Sequence, residues 1–240
     1  VGYYSNTSGT LIAEGTSVER ITFSSSNSNK SAGDWDFIGF YGGTSSNTSL
    51  KFCDIEYGGG TSGKGIIHLD DSEISIENCK ISNSEFLGVS ASSDSKFAAF
   101  SNNEISNNGS FAVQVYGNAV HTLGSNNNID SDLGIEVSAD RIEIQSGTWI
   151  NHGVPYVVTG DVYIGSATGS EIIIEPGTTI SFASGRGMYV GYYSSTFGKL
   201  IAQGNTGNPI TFTSAAPEGS KAAGSWDYIG FYDGTSSGSI

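Results

Sequence analysis

The chain has 240 residues, of which 37% are hydrophobic and 14% are charged, and it contains 34 glycines. This composition supplies enough apolar residues for a sizeable core but too few charges for ordinary amphipathic helices, so it favours an all-β fold. Ten basic against 24 acidic residues give a formal net charge of −14, which repels phosphate backbones and anionic membrane surfaces and argues against nucleic acid as a partner.

The first 50 residues return near the other end of the chain, at residues 190–240. Val1-Gly-Tyr-Tyr-Ser5 recurs as Val190-Gly-Tyr-Tyr-Ser194, and Trp35-Asp-Phe-Ile-Gly-Phe-Tyr41 recurs as Trp226-Asp-Tyr-Ile-Gly-Phe-Tyr232. The polar stretch 24–32 is longer by two residues in the second copy, which is typical of a surface loop. Because Val1 falls inside the repeated unit, we expect the chain to be a segment of a longer repeat protein.

Short alternations of apolar and polar residues predict β-strands along the chain. The apolar positions are Ile74 and Ile76, Val113 and Val115, Ile135 and Val137, Ile142 and Ile144, Ile172 and Ile174, and Ile180 and Phe182. A period of two is the pattern of a strand with one buried face. Clusters of Gly, Asn and Ser between these runs predict turns.

The spacing of equivalent positions favours a solenoid over a sandwich or a barrel. The recurring patterns are Leu50-x-x-Cys53-x-Ile55, Ile76-x-x-Cys79-x-Ile81, Phe100-x-x-Asn103-x-Ile105 and Asn127-x-Ile129. The steps between them are 26, 24 and 24 residues. A period near 24 predicts one parallel β-helix domain of about ten coils over residues 1–240, with equivalent strands ~4.8 Å apart.

The column formed by Cys53, Cys79, Asn103 and Asn127 is predicted to be structural. Asparagines at such a position pass hydrogen bonds from coil to coil. The two cysteines lie in neighbouring coils, and a spacing of ~4.8 Å falls inside the window for a disulfide. Two free thiols packed as small hydrophobic groups fit the column as well, and we favour them. Neither His68 nor His121 has ligand spacing to the cysteines, which argues against zinc.

Several segments then carry a resemblance to a known family. They are residues 154–164, 200–204, 209–214 and 226–231, together with the motif Glu171-Ile-Ile-Ile-Glu-Pro-Gly-Thr-Thr-Ile-Ser-Phe182. These segments resemble the right-handed parallel β-helix repeats of bacterial cell-surface and secreted proteins. Residues 74–108 are similar to the repeat that those proteins share with pectate-lyase-like enzymes. The resemblance implies a right-handed parallel β-helix at an extracellular or cell-surface location, on a scaffold that serves both enzymes and stalks.

Two acidic motifs are candidates for catalysis. Asp70-Asp71 resembles the paired acid of polygalacturonase-like hydrolases, and Asn151-His152-Gly153 resembles their Gly-His-Gly. Those motifs lie about one coil apart in that family, whereas 81 residues separate Asp71 from His152 here. The family's basic substrate-binding motif has no match either. The sequence therefore favours a non-catalytic protein.

A lyase would need a basic residue beside calcium-binding carboxylates. Asp130-x-Asp132 is the candidate calcium pair, although an Asx-rich turn is the commoner explanation of such a pattern. Apart from calcium, the sequence indicates no cofactor.

Paired aromatic residues are the candidates for ligand binding. Adjacent residues in a strand point to opposite faces, so one ring of each pair should point outward. The pairs are Tyr3-Tyr4, Phe40-Tyr41, Tyr192-Tyr193 and Phe231-Tyr232. We take Tyr4, Tyr41, Tyr193 and Tyr232 as the candidate ligand residues. Outward rings either stack on sugars or pack under the neighbouring loops.

Together these features predict a structural or adhesive stalk of a secreted or cell-surface repeat protein, as part of a filament or long fibre. The expected partners are cell-surface or environmental polysaccharide and further coils that associate end to end. No apolar run approaches the ~18 residues that span a bilayer. The alternative is a carbohydrate-active enzyme, a polysaccharide lyase or glycoside hydrolase, or a carbohydrate-binding module on the same scaffold.

Overall fold

The structure, a computed structural model, describes residues 1–4, 7–130 and 132–240. In these residues 24 short β-strands alternate with turns, and one 3-10 helix occupies Gly117–Thr122. The chain divides into two compact units. Unit 1 comprises Val1–Val115 and Thr122–Ile135, and unit 2 comprises Tyr116–His121 and Glu136–Ile240.

Unit 1 is built from stacks of parallel strands, with one strand of each coil in each stack. In chain order the strands are β1 (Ile12–Glu14), β2 (Ile21–Phe23), β3 (Ile38–Phe40), β4 (Ser49–Lys51), β5 (Cys53–Glu56), β6 (Gly65–Leu69), β7 (Glu73–Glu77), β8 (Lys80–Ser82), β9 (Leu87–Ala91), β10 (Lys96–Ser101), β11 (Glu104–Ser106), β12 (Val113–Tyr116) and β13 (Asn128–Asp130). The three stacks have the strand orders β1-β4-β7-β10, β2-β5-β8-β11-β13 and β3-β6-β9-β12. Equivalent strands therefore pair coil on coil, as the spacing predicts.

The alternation of side chains along each strand builds the core. In β7, Ile74 and Ile76 are fully buried, whereas the flanking Glu73, Ser75 and Glu77 are partly exposed. The register places Ile76 between two other buried apolar residues, one in the coil before it and one in the coil after it. Each coil thus adds one residue to a continuous apolar column. Burial of apolar surface in such a column stabilises the fold by about 25 cal/mol per Å².

Sharp corners separate the stacks of unit 1, and residues with a left-handed backbone make them. At one corner these residues are Phe52, Asn78, Asn102 and Asn126, and at the next they are Tyr57, Asn83 and Asn107. Their φ angles lie between 50° and 62°. Asparagine tolerates this conformation better than most residues. The Asn-rich segments are therefore the corners of successive coils.

Unit 2 repeats the same construction. Its strands are β14 (Ile135–Ser138), β15 (Asp140–Ile142), β16 (Ser146–Trp149), β17 (Tyr156–Val158), β18 (Val162–Ile164), β19 (Ser170–Ile174), β20 (Thr179–Phe182), β21 (Met188–Val190), β22 (Gly198–Ala202), β23 (Thr211–Ser214) and β24 (Ile229–Phe231). The stacks are β15-β18-β21-β24, β16-β19-β22 and β14-β17-β20-β23. The predicted strands at Ile172, Ile174, Ile180 and Phe182 are confirmed, whereas Ile144 lies outside β15 and is only half-buried.

The predicted number of coils is too high, because the solenoid has about seven turns instead of ten. The step from β4 to β7 is 26 residues and that from β7 to β10 is 24, as expected. The step from β1 to β4 is 37 residues, and that from β21 to β24 is 41. These long coils contain the polar loop around residues 24–32 and its longer equivalent in the second copy, so dividing the chain length by 24 overestimates the count.

A search of the described residues for a helix long and apolar enough to cross a membrane finds none.

Candidate functional site

The column predicted from the spacing lies at one corner of unit 1. The strand register places Cys53, Cys79, Asn103 and Asn127 at equivalent positions of four successive coils. Each side chain donates a hydrogen bond to the backbone carbonyl of a core residue one coil back. The pairs are Cys53 with Ala13 (3.2 Å), Cys79 with Leu50 (3.3 Å), Asn103 with Ile76 (2.9 Å) and Asn127 with Phe100 (3.0 Å). Thiol and amide therefore fill the same structural position.

The asparagines also accept hydrogen bonds through their side-chain oxygens. The Oδ1 atom of Asn103 accepts from the backbone N–H of Cys79 at 2.9 Å. The Oδ1 atom of Asn127 accepts from both the backbone and the side-chain nitrogen of Asn103 at 3.0 Å. The amides thus tie three coils together inside the core.

Cys53 and Cys79 are free thiols and both are buried. The neighbouring Cys53 side chain and, after it, burial raise the pKa of the Cys79 thiol. A raised pKa lowers the fraction of thiolate, which is the reactive form. The structure thus shows the free-thiol alternative of the two that the sequence left open.

We expect both thiols of the folded chain to resist alkylation. Iodoacetamide at neutral pH should label neither cysteine over a time in which a free model thiol reacts completely, because both side chains are buried in the core and closed to the reagent. Unfolding in guanidinium chloride should expose both. Mass spectrometry of the alkylated chain gives the result. Rapid labelling of the native chain would contradict the buried register.

The repeated segment forms the same loop in each unit. In unit 1, Gly9 N–H donates to Gly43 at 2.9 Å, and the Thr44 hydroxyl donates to the Val1 carbonyl at 3.1 Å. The equivalent bonds of unit 2 join Gly198 to Gly234 at 2.9 Å and Thr235 to Val190 at 3.0 Å. Two separate parts of the chain therefore reproduce one local structure in detail.

The second residue of each loop must be glycine, because the loop backbone lies close to the backbone at the end of the neighbouring strand. Gly2 and Gly191 both have left-handed φ angles, of 63° and 64°. A Cβ atom on either would come within 2.2 Å of a backbone carbon, that of Gly43 or Gly234. Any side chain would therefore separate the loop from the strand end beside it.

The loop of unit 1 forms one wall of an open depression of about 700 Å³. Its lining includes Tyr3, Tyr4, Tyr41, Asp70 and Asp71. Tyr3 and Tyr4 are 66% and 72% exposed, and the Tyr3 ring meets the Tyr41 ring edge to face, 4.7 Å between centroids. The depression thus presents large aromatic surfaces beside carboxylates.

The equivalent loop of unit 2 lines a second depression, of about 430 Å³, with Tyr192, Tyr193, Tyr232 and Asp233. Six tyrosines are in continuous ring contact in and beside it. They are Tyr163, Tyr189, Tyr192, Tyr193, Tyr228 and Tyr232. The parallel stacking of β18 on β21 places the rings of Tyr163 and Tyr189 5.0 Å apart.

Hydrogen bonds and burial act on the phenol groups of two residues in this cluster. The hydrogen bond with Tyr228 is the main cause that raises the pKa of Tyr232 to about 12. Burial, and then the hydrogen bond that the Tyr189 hydroxyl donates to Asp227 at 2.7 Å, raise the pKa of Tyr189. The cluster is an aromatic surface with hydroxyl groups that donate and accept hydrogen bonds.

The prediction that one ring of each pair points outward is wrong for the paired tyrosines. Tyr192 and Tyr193 are 47% and 41% exposed, and Tyr3 and Tyr4 are both exposed as well. The reason is that these pairs lie in bends and turns, where neighbouring side chains do not alternate. The candidates Tyr4, Tyr41, Tyr193 and Tyr232 all line the depressions, and Tyr3 and Tyr192 join them.

The sequence reasoning missed Tyr163, Tyr189 and Tyr228 as well. A signal for the first two was present, since Tyr163 and Tyr189 are 26 residues apart, which is one coil. Tyr228 could not be assigned in this way, because its ring reaches the cluster by folding over Gly230. A Cβ atom on Gly230 would lie within 2.7–2.9 Å of the Tyr232 and Tyr228 rings.

The two motifs that resemble hydrolase signatures, Asp70-Asp71 and Asn151-His152-Gly153, lie in different units. Asp70 and Asp71 belong to unit 1 and line its depression. Asn151 and Gly153 form an Asx-type turn in unit 2, where the Asn151 Oδ1 accepts from the Gly153 N–H at 2.9 Å. Burial lowers the pKa of the neighbouring His152. This second motif therefore has a structural turn as its immediate role.

A serine and a histidine also meet in unit 1. The His68 Nδ1 lies 2.9 Å from the Ser90 Oγ, which accepts a hydrogen bond from the Gly65 N–H at 2.8 Å. Ser90 is 1% exposed. A hydroxyl that is closed off from solvent and already bonded to backbone ties neighbouring coils together and does not reach a substrate.

The candidate calcium pair, Asp130 and Asp132, lines a shallow depression of unit 1 together with Asn107 and Asn108. Among the described residues, no group of three or more His, Cys, Asp or Glu side chains has the geometry of a metal site.

With this geometry in place, the comparison with protein families gives the class. The family model described as right handed beta helix region matches residues 3–148, which is more than half of the chain. The chain therefore belongs to the right-handed β-helix family, and the right-handed parallel β-helix predicted from the sequence is confirmed. No curated protein and no solved structure matches the chain.

Proposed function

We propose that this chain is a non-catalytic adhesive element of a secreted or cell-surface repeat protein, and that it binds polysaccharide through its two tyrosine-lined depressions. The observation that carries this proposal is the repetition of one exposed tyrosine loop, with equivalent hydrogen bonds, in both units. A loop that served only to close a coil would not need two exposed tyrosines at the same place each time.

Exposed tyrosine rings suit carbohydrate chemistry. Their faces pack against the apolar faces of sugar rings, and their hydroxyl groups exchange hydrogen bonds with sugar hydroxyls. Two equivalent sites on one chain also raise the avidity for a polymer without any new contact. A rigid scaffold with repeated contact surfaces fits adhesion to a polymer.

The charge of the site argues against anionic sugars as ligands. Among the described residues, no lysine or arginine lines either depression, whereas aspartates line both. The Arg141 guanidinium, which lies over the Tyr193 ring, is already paired with Glu143. A polyuronate would therefore meet carboxylates of its own sign.

The test is binding of oligosaccharides to the full chain with and without the exposed rings. The double variant Tyr4→Ala/Tyr193→Ala should lose about 1 kcal/mol of binding free energy per ring in isothermal titration. Tyr4→Phe/Tyr193→Phe is the matched control, because it keeps both rings and removes only the hydroxyls. Equal binding by the alanine variant and the parent would show that the tyrosines are not the contact surface.

The enzyme alternative makes a different prediction. We expect no turnover of pectate or alginate by the purified chain, measured by the ultraviolet absorbance of unsaturated uronates and by released reducing ends. The lyases that this scaffold serves need a lysine or arginine as the base close to the uronate, and neither type is among the described residues that line the tyrosine depressions. Turnover that Asp71→Asn or Asp132→Asn abolishes would assign the chain to the enzymes.

A further inference from the structure

In the part of the chain that the structure describes, no basic side chain forms an ion pair with the carboxylates of the depressions. Nine of its ten lysines and arginines form ion pairs with other acidic residues, and the tenth, Lys64, lies over the Phe37 ring at 4.5 Å. Among the described residues, no ion pair involves Asp70, Asp71 or Asp233. These three side chains keep their charge available to a ligand.

Both depressions carry a carboxylate on the same side of the tyrosine loop, although different parts of the sequence supply it. In unit 1, the Asp71 Oδ2 lies 2.8 Å from the place where a Cβ atom on Gly42 would stand. The residue of unit 2 that corresponds to Gly42 is Asp233. The position next to the tyrosines is thus occupied by a carboxylate in both copies, from a neighbouring coil in one and from the loop itself in the other.

The aromatic rings of the chain also attract cations. The Arg141 guanidinium lies over the Tyr193 ring at 4.9 Å, and the Lys30 ammonium lies over the Tyr57 ring at 5.4 Å. A ring face beside a carboxylate is a favourable environment for a positive charge. In unit 1 no cation of the chain covers the rings of Tyr3 and Tyr4 in the described residues, so their faces are available.

We infer that the unit 1 depression recognises a polysaccharide with free amino groups, whose sugar rings pack on Tyr3 and Tyr4 and whose ammonium groups pair with Asp70 and Asp71. Unit 2 binds the same polymer through Tyr192, Tyr193 and Asp233, more weakly, because the Arg141 guanidinium already covers one face of the Tyr193 ring. This inference rests on the proposed carbohydrate-binding function and names the class of sugar.

Three tetrasaccharides of equal length separate the contributions of charge and of ring stacking. They are a glucosamine tetramer with free amines, its fully N-acetylated form and the neutral glucose tetramer with the same linkage. The full chain is titrated at low salt and at about pH 5.5, where the amines of the sugar are protonated. EDTA in every solution prevents divalent cations from bridging sugar and protein.

The parent chain should bind the free-amine tetramer about fivefold more tightly than either of the others, which is the size expected of exposed ion pairs. Raising the salt should reduce this preference. Asp71→Asn should also reduce it, while binding of the neutral tetramer stays unchanged. Asparagine tolerates the left-handed φ of 51° at position 71, so the substitution preserves the backbone. The matched control is Asp94→Asn, which removes one exposed charge outside both depressions.

The outcomes separate the two proposals. Equal affinities for the three tetramers, lost together in Tyr4→Ala/Tyr193→Ala, would overturn the amino-sugar inference and leave carbohydrate binding standing. An equal loss of preference in Asp94→Asn and Asp71→Asn would also overturn it, because net charge alone would then explain the result. No binding of any tetramer would overturn the proposed function and the inference with it.

Discussion

Replacing Asn103 by alanine should lower the free energy of unfolding by about 3–5 kcal/mol. The side chain is 1% exposed, accepts a hydrogen bond from the Cys79 N–H and donates one to the Ile76 carbonyl. Alanine leaves both backbone groups buried without these partners, and each such group costs about 1–3 kcal/mol. Urea unfolding followed by circular dichroism measures the change.

The control for this substitution is Asn128→Ala, which removes an amide from an exposed position of the same corner in the next coil. Its effect should stay within about 0.5 kcal/mol, as is usual for surface positions. If Asn103→Ala costs no more than Asn128→Ala, the hydrogen bonds of the column do not stabilise the coils.

This column could be predicted from the sequence, because residues that are one coil length apart in sequence come into contact in a solenoid. Once Cys53, Cys79 and Asn103 recur at steps of one coil, parallel pairing brings them to the same corner. What spacing could not reveal is that cysteine and asparagine donate to the same row of carbonyls. That equivalence depends on side-chain direction at the corner, which follows from the left-handed residue before each column position.

The number of coils could not be predicted from the spacing in the same way. A period taken from the most regular part, between Leu50 and Asn127, holds only where the corners are tight. Polar loops add residues to a coil without adding a strand, and their length is limited weakly by chain entropy. A count based on an average period is therefore wrong for the first and last coils.

The candidate site was predicted in part. The internal repeat identified the tyrosine loops, because the same residues recur at a fixed offset in the sequence. The carboxylates beside them escaped that comparison, since Asp71 and Asp233 reach equivalent places from positions that do not correspond in the repeat. Sequence alignment of the copies pairs Asp233 with Gly42, and only the stacking of coils brings Asp71 next to that glycine.

The largest destabilisation from a single truncation in unit 2 should come from Trp149→Ala, at about 3–5 kcal/mol. Trp149 is fully buried, pairs in register with Ile174 and packs on the Tyr156 ring at 5.3 Å. Alanine leaves a cavity of nearly the whole indole, and large cavities in cores of this rigidity relax only partly. Thermal and urea unfolding of the two chains measure the loss.

Trp149→Phe is the informative partner of this variant. The indole Nε1 is buried and finds no acceptor among the described residues. Phenylalanine removes that unpaired donor, which avoids a cost of about 1–3 kcal/mol and offsets much of the lost contact area. The net change should stay below about 1 kcal/mol. A loss as large as that of Trp149→Ala would contradict this prediction, because it would mean that the N–H group has a stabilising partner.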